Sequence, residues 1–489
     1  MTIQSVNPRT NEKFGPVIPE TTSIELDEII TLSQTSLQIW STKSPSFRAN
    51  CLHSIANALE ENIEELVKIS DLETGLGEIR LTGEIGRTAF QIREFANAIQ
   101  AGDLIAPLVD SAVELPVPQG HPQFVRTLVP IGIVAVFGAS NFPFAFSVLG
   151  GDTSSALAAG CSVIVKAHPA HPQTSLRTYE IANKAMVDAG APKGTLALVH
   201  GVESGQMLLR DERVQAGAFT GSKHGGRALF DISTARKNPI PFYGELGSVN
   251  PVIVLRSSIA DPKVFACAYL DSLLMGNGQF CTNPSVMFIP KDSALSAEIE
   301  TQIIDRVPSP FLSQATKTLH DKNREDLRVL ISPKILSGQG KEGAGFYSAP
   351  MIFLSTVEHL LANISALTIE CFGPTGLILT YTSISEVIDL VMKMDGALVG
   401  SLFGDSDDAD AMVAGRALAG KVGRVAWNAW PTGVAVTAGQ HHGGPYPAST
   451  APLHTSVGLS AITRFLRPVT FQSLPPVLLN QVAMNLAKS

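Results

Sequence analysis

From Ile24 to Ser70 the apolar residues recur at helical spacing, Leu52, Ile55, Leu59, Ile63 and Leu66 among them, with Glu and Lys between. Steps of three and four place them on one face, so the pattern predicts an amphipathic helical front end. From Phe124 to Val136 the pattern turns β-rich. The runs VIVKAHP (Val163 to Pro169), TLALVHG (Thr195 to Gly201) and AGAFTGS (Ala216 to Ser222) follow, with a helical stretch from Ser175 to Gly190 among them. Strand alternating with helix predicts a parallel, doubly wound α/β sheet. A second cycle opens at NPVIVL (Asn250 to Leu255) and runs through SVMFIP and TGLILT to GRVAWNA. With no repeat or low-complexity linker, the pattern alone divides the chain near Gly247.

Composition narrows the function classes. The chain has 489 residues, 45% apolar and 16% charged, enough for a large core and two or three domains. Disorder is excluded. Lys+Arg 36 against Asp+Glu 44 leaves a net charge of −8 without a basic cluster. Nucleic acid is therefore not the expected partner, because phosphate binding needs concentrated positive charge. The N-terminal MTIQSVNPRTNEKFG has no basic region followed by an apolar core, so no secretory signal is read there. The charge-free stretch between Arg126 and Asp152 is interrupted by Gly138, Asn141 and Pro143, and reads as a buried strand, a loop and a helix start rather than a membrane span. Five cysteines, an odd number with no metal-ligand spacing, read as reduced thiols of a cytoplasmic protein without a metal.

Several segments carry candidate chemistry, each with a plainer reading beside it. Cys281 sits in the turn-like GQFCTNP, where a thiol can be exposed. A lone cysteine is by default a buried small hydrophobe, and Cys51, Cys161 and Cys267 are read that way. A nucleophilic thiol also needs an activating partner and a stabilised oxyanion. Glu245, in PFYGELGSVNPVIV, is either a general base raised by desolvation or a solvated loop carboxylate. Asn141, in VFGASNFPFAF, is either an oxyanion donor or a helix cap. Lys166 ends a strand where open α/β sheets bind ligands. FTGSKHGG (Phe219 to Gly226) precedes a helical stretch, so its N–H groups can meet a phosphate. GQGKEG (Gly338 to Gly343) fits the dinucleotide pattern but follows no clear strand and reads as a surface loop. A cysteine hydrolase would need a histidine base, and the pair His441-His442 lies far along the chain with no motif linking it to Cys281.

Taken in order, GASNFPF, VKAHPAHP, FTGS, GELG, GQFCTNP, ECFGP and FLRP resemble the aldehyde dehydrogenase superfamily over nearly the whole chain. GGDTSSALAAG, KAHPAHP, ELGSVNP and WNAWPTGV with HHGGPYPAST are similar to the α-ketoglutarate semialdehyde (2,5-dioxovalerate) dehydrogenase branch. Bacterial long-chain fatty-aldehyde dehydrogenases share part of that wording. The resemblance implies an NAD(P)-dependent enzyme that oxidises an aldehyde to its acid. Cys281 is the implied nucleophile, Asn141 with the Cys281 N–H the oxyanion donors, and Glu245 the activator of the deacylating water. Glu370 would hold the nicotinamide ribose and Phe372 line that pocket. Lys166 would reach the adenine-side ribose, with Gly221 and Ser222 near the pyrophosphate.

Position 169 is proline where NAD-using relatives commonly carry a glutamate. The expectation is therefore NADP before NAD, with His168 helping to receive the 2′-phosphate. Arg87, in GEIGRTAFQIR, is a candidate anchor for a substrate carboxylate, or simply a solvated helix arginine. A catalytically inactive structural relative would have lost one of Asn141, Glu245 or Cys281, and a CoA-acylating enzyme has no need of Glu245. The implied architecture is a Rossmann-like cofactor domain (1–111 and 129–246), a catalytic α/β domain (247–445) and a small β oligomerisation flap (112–128 and 446–489). A homodimer or homotetramer follows.

Overall fold

The computed structural model describes residues 2–102, 104, 106–247, 249–475 and 477–478. Two parallel sheets dominate it. The first has the spatial order Leu196–Val199, Ser162–Lys166, Ile133–Phe137, Val214–Thr220 and Phe242–Glu245, each neighbouring pair parallel. Its strands are continuous apolar runs because helices cover both faces; Ile133–Phe137 is buried at every position. Chain order reverses between Ile133–Phe137 and Val214–Thr220. The crevice outside the C-terminal ends of these two strands is where such a sheet takes a ligand.

The helical front end begins at Ser23, where its periodicity places it. A β-hairpin, Thr2–Asn7 with Glu12–Pro19, comes first. The helices Ser23–Trp40, Pro45–Glu61, Ile63–Thr74 and Glu78–Ala101 follow. Thr22 and Glu25 form a capping box, Ser44 caps a helix with Pro45 at its first position, and left-handed Gly75 and Gly102 end the last two. The apolar stripe of the second helix (Leu52, Ile55, Leu59) joins Ile85, Ile92 and Phe95 in the core under the sheet.

The second sheet runs Lys334–Ser337, Met351–Thr356, Thr375–Tyr381, Val286–Pro290, Pro251–Val254, Ala397–Phe403 and Val422–Trp427. Only its first pair is antiparallel. GQGKEG therefore does follow a strand, contrary to expectation, but an antiparallel edge strand with no helix opening after it. A third, three-stranded sheet pairs Leu108–Asp110, Phe124–Pro130 and Leu466–Gln472. Its first strand precedes the expected flap boundary at 112.

Residues 446–465, assigned to that flap from sequence, instead pack inward. Val457, Ala461, Ile462 and Phe465 are fully buried, and the Ala448 carbonyl accepts from the Leu246 N–H at 2.8 Å. Ala461, Ile462 and Phe465 join the core of the first sheet, and Val457 packs with Ala139, Ala145 and Phe146, which is why these side chains cannot project outward. Residues 479–489 of the expected flap lie outside the described residues. No described helix is long and apolar enough to cross a membrane.

Candidate active site

A cavity of about 770 Å³ opens at the reversal point of the first sheet and reaches across to the second. The structure brings to its wall nine residues nominated from sequence: Asn141, Lys166, His168, Gly221, Ser222, Glu245, Cys281, Glu370 and Phe372. Arg87 stands one layer back, its guanidinium 5.4 Å from the ring centre of Phe146, which lines the cavity.

Cys281 follows a tight 3-10 turn, Met275–Gly278, in which Asn277 and Gly278 have φ of 59° and 70°. Gly278 has no room for a Cβ, which would run into the Gly373 backbone. The loop is tied from three sides. Asn250 Nδ2 donates to the Cys281 carbonyl at 2.8 Å, Asn141 Nδ2 donates to the Gln279 carbonyl at 2.9 Å, and Gln279 Oε1 accepts from the Leu312 N–H at 3.0 Å. Asn250 and Gln279 are fully buried, so these bonds hold the thiol in place without competition from water.

Three side chains meet at the thiol. His442 Nε2 lies 2.9 Å from Glu245 Oε1 and 3.7 Å from Cys281 Sγ. Ser456 Oγ donates to Glu245 Oε2 at 2.6 Å, and the Cys281 thiol hydrogen-bonds the same carboxylate. No motif links His442 to Cys281 in the sequence, but the fold brings them together. Their separation of 161 positions is spanned because the segment after Gln440 lies along the strand Phe242–Glu245, with Ser449 bridging Glu245.

Burial pushes the Glu245 carboxyl up, but His442 and the hydrogen bonds from His442, Ser456 and Cys281 outweigh it and hold the group below its usual value. Glu245 is therefore an anion although it is buried. Burial, and then the Glu245 charge, push the Cys281 thiol well above its ordinary value. The resting pair is a neutral thiol beside a carboxylate, and reaction requires the proton to move.

The loop carrying Asn141 is held by the helix Glu78–Ala101. Glu84, fully desolvated, accepts from the N–H groups of Phe144 (2.8 Å) and Ala145 (3.0 Å). Arg80 donates to the Asn141 carbonyl at 2.6 Å and lies against the rings of Phe142 and Phe280. Asn141 does not cap a helix; the next one begins at Gly151. Arg87 donates to the Val434 carbonyl at 3.3 Å, and its Nη1 is buried with no hydrogen-bond partner. Its charge acts on Glu84, Cys281 and Glu245.

On the opposite side of the cavity, burial pushes the Lys166 ammonium down to about 8, partly restored by Glu20. Burial also drives the His168 imidazole well below its usual value, with His171 and Lys166 adding to the effect. His168 Nδ1 accepts from the Ala170 N–H at 3.1 Å, so the ring is neutral with its proton on Nε2. Ser222 accepts from the Gly225 N–H at 3.2 Å and caps the helix Lys223–Thr234 beside the cavity. The Glu370 carboxylate lies over Gly247, where a Cβ would collide with it. A helix N-terminus, a cation at a strand end and a carboxylate along one cleft suit the pyrophosphate and riboses of a dinucleotide.

Residues 1–451 match the model of the aldehyde dehydrogenase family. The chain belongs to that family. It is 36% identical over 488 residues to an alpha-ketoglutaric semialdehyde dehydrogenase of Acinetobacter baylyi, covering 98% of this chain and 92% of the relative. Alpha-ketoglutaric semialdehyde dehydrogenase 2 of Azospirillum brasilense is 35% identical with the same coverage. The fold superposes on 1-pyrroline-5-carboxylate dehydrogenase from Thermus, solved with bound NAD, at a TM-score of 0.82 and 19% identity, covering 96% of this chain and 90% of that one.

For this aldehyde dehydrogenase, motif reading found the cavity wall and missed what holds it. Ser456 and Arg80 sit in no quoted motif, and His442, Glu84 and Asn250 lie within quoted segments that do not single them out. The HHGGPYPAST stretch was visible as a resemblance, and a histidine within it was the available signal. Cys267, read as a packing thiol, is exposed, with Sγ 3.7 Å from Asp271 and 3.6 Å from Arg306. Cys51 and Cys161 are buried.

Proposed function

We propose that this enzyme oxidises α-ketoglutarate semialdehyde (2,5-dioxovalerate) to 2-oxoglutarate with NADP. The observation that carries the substrate is the likeness over 98% of the chain to two relatives named for it. Arg87 supports it: a half-buried arginine whose Nη1 is buried and unpartnered beside Phe146 suits a carboxylate at the far end of a short substrate. Phe142 and Phe146 in the wall favour the second reading, a long-chain fatty aldehyde.

In the proposed mechanism Cys281 adds to the aldehyde carbonyl after its proton passes to Glu245. The Asn141 amide and the Cys281 N–H receive the developing oxyanion. When bound, the nicotinamide supplies the hydride acceptor. Glu370 would hold its ribose and Phe372 its pocket wall, with Lys166 and the neutral His168 N–H at the adenine-side ribose and Gly221 and Ser222 at the pyrophosphate. Once the thiol has become a thioester, Glu245 gives up the thiol proton to solvent and, as a carboxylate again, takes a proton from the attacking water. His442 and Ser456 keep that carboxylate aimed throughout.

We also read the three-stranded sheet as the surface that joins copies into a dimer or tetramer, since Leu108 and Val109 on its outer strand are exposed. Five free thiols support a reducing, cytoplasmic setting.

The test is a panel of aldehydes differing in length and terminal charge. The short semialdehyde is expected to exceed a ten-carbon alkyl aldehyde in kcat/KM, with NADP exceeding NAD. Arg87→Ala should narrow the gap through KM, by roughly tenfold or more for a lost charge-assisted contact. Preference for the alkyl aldehyde would replace this reading with the fatty-aldehyde one, and preference for NAD would overturn the cofactor assignment.

A further inference from the structure

One sulfur, one imidazole nitrogen and one carboxylate oxygen converge at the bottom of the cavity. The ligand atoms of Cys281, His442 and Glu245 all lie within 4.8 Å of one another, and no other such trio of His, Cys, Asp and Glu occurs among the described residues. We propose that these three side chains form a site for a thiophilic divalent cation of the zinc class, and that the ion acts there as a reversible inhibitor of aldehyde oxidation.

The spacing fits a tetrahedral centre. Bond lengths of about 2.3 Å to sulfur and about 2.0 Å to nitrogen imply an S to N edge of roughly 3.6 Å. The observed edge is 3.7 Å. The N to O edge is 2.9 Å, a hydrogen-bond length that opens as the ion replaces the proton between the two groups. The carboxylate is held by Ser456 on Glu245 Oε2, and the backbones that carry the other two ligands are held by Asn250 on the Cys281 carbonyl and by Thr455 Oγ1 accepting from the His442 backbone N–H at 2.8 Å. Such supports reduce the ordering cost of ligation. The cavity side leaves a fourth position for water.

Proton and charge balance are simple. The ion displaces the Cys281 thiol proton to solvent, and the His442 proton moves from Nε2 to Nδ1 so that Nε2 can ligate. Thiolate and carboxylate together neutralise the two positive charges. Magnesium and calcium, which need several oxygens, find only one carboxylate here. Bound zinc withdraws the thiol and the carboxylate together, so it excludes aldehyde while leaving the nucleotide groove open. The site stands on the three side chains alone, and its inhibitory role rests on the proposed reaction.

Equilibrium dialysis of the whole enzyme against zinc chloride, with metal counted in the retentate, tests the site. One zinc per chain is expected, with affinity falling at least tenfold in His442→Ala and in Glu245→Gln, and more in Cys281→Ser. Zinc should also protect Cys281 from iodoacetamide, mapped by mass spectrometry. Chelator should reverse the protection, and magnesium should give none. Cys267→Ser should leave the stoichiometry intact. Zinc that survives Cys281→Ser but is lost in Cys267→Ser would place the ion on the exposed Cys267 and Asp271 and overturn the proposal. Unchanged affinity in His442→Ala would overturn it as well. Zinc binding by an enzyme that oxidises no aldehyde would leave the site standing but overturn its inhibitory role together with the proposed reaction.

Discussion

Replacing Glu245 by glutamine separates the two halves of the reaction, because the carboxylate bears on each differently. Before acylation its charge opposes ionisation of Cys281 while its oxygen accepts the thiol hydrogen bond. A unit charge within 4.8 Å of the sulfur is worth about 3.5 kcal/mol at an effective dielectric of about 20, a few hundredfold in the thiol–thiolate equilibrium. Glutamine removes that opposition. It also releases His442 Nε2, 3.7 Å from the sulfur, to accept the proton in place of Glu245. Acylation is therefore expected to survive, whereas deacylation loses its base and slows by about 10²- to 10⁴-fold. Rapid mixing of Glu245→Gln with NADP and aldehyde should give a burst of NADPH approaching one per site, followed by very slow turnover. Iodoacetamide should alkylate Cys281 faster than in the wild type at neutral pH. A burst that disappears in the single variant, with nucleotide binding intact, would refute the reasoning and make Glu245 the obligatory acceptor of the thiol proton. The double variant with His442→Gln should lose the burst, having neither acceptor.

Three further outcomes are expected. Cys281→Ser should abolish turnover yet retain nucleotide affinity measured by fluorescence titration, since a hydroxyl there is a far weaker nucleophile. Lys166, with a value of about 8 in the folded enzyme, is charged below that pH and neutral above it. kcat/KM for NADP should therefore fall as pH rises through about 8 while that for NAD stays flatter, and Lys166→Arg should remove the difference. Glu84→Ala orphans two buried N–H groups, which costs about 2–4 kcal/mol. Thermal unfolding should report that loss, with kcat/KM for aldehyde falling and nucleotide affinity preserved.

How much of this was legible in the chain depended on how far each determinant lies along it. The strand Ile133–Phe137 and the turn that follows can be read because five buried positions in a row admit no polar residue. Cys281 is legible for a related reason: the tight turn before it demands glycine at 278, and that demand appears as a motif. The front hairpin was missed because exposed positions in Glu12–Pro19 leave no clean alternation. Residues 446–465 were misplaced because their burial depends on the strand Phe242–Glu245, about 200 residues earlier, and short apolar runs do not announce their partner. Arg87 was legible only as one residue on a helix. Its unpartnered nitrogen is a fact of packing against Phe146 and Val434.

That same late segment explains why the reactive groups stay aligned without a rigid local motif. Phe242–Glu245 is the edge strand of the first sheet, and its open side is stitched by residues 448–450: Leu246 N–H to the Ala448 carbonyl, Thr450 N–H to the Gly244 carbonyl at 2.9 Å, and Gly244 N–H to Thr450 Oγ1 at 2.8 Å. Ser456 and His442 flank that stitch in sequence and both reach the Glu245 carboxylate. The backbone that closes the sheet edge is thus the backbone that aims the base. Loosening the stitch should misplace Glu245 and His442 together, while Cys281 remains held by Asn250 and by the Asn141 contact to Gln279. Thr450→Val removes a hydroxyl that accepts from the Gly244 N–H and donates to the Phe242 carbonyl at 2.7 Å, two half-buried contacts worth about 1 kcal/mol each. It should therefore slow deacylation more than acylation, raising the ratio of burst rate to steady-state rate. Equal slowing of both phases would mean that the stitch supports the whole cavity and not the base in particular.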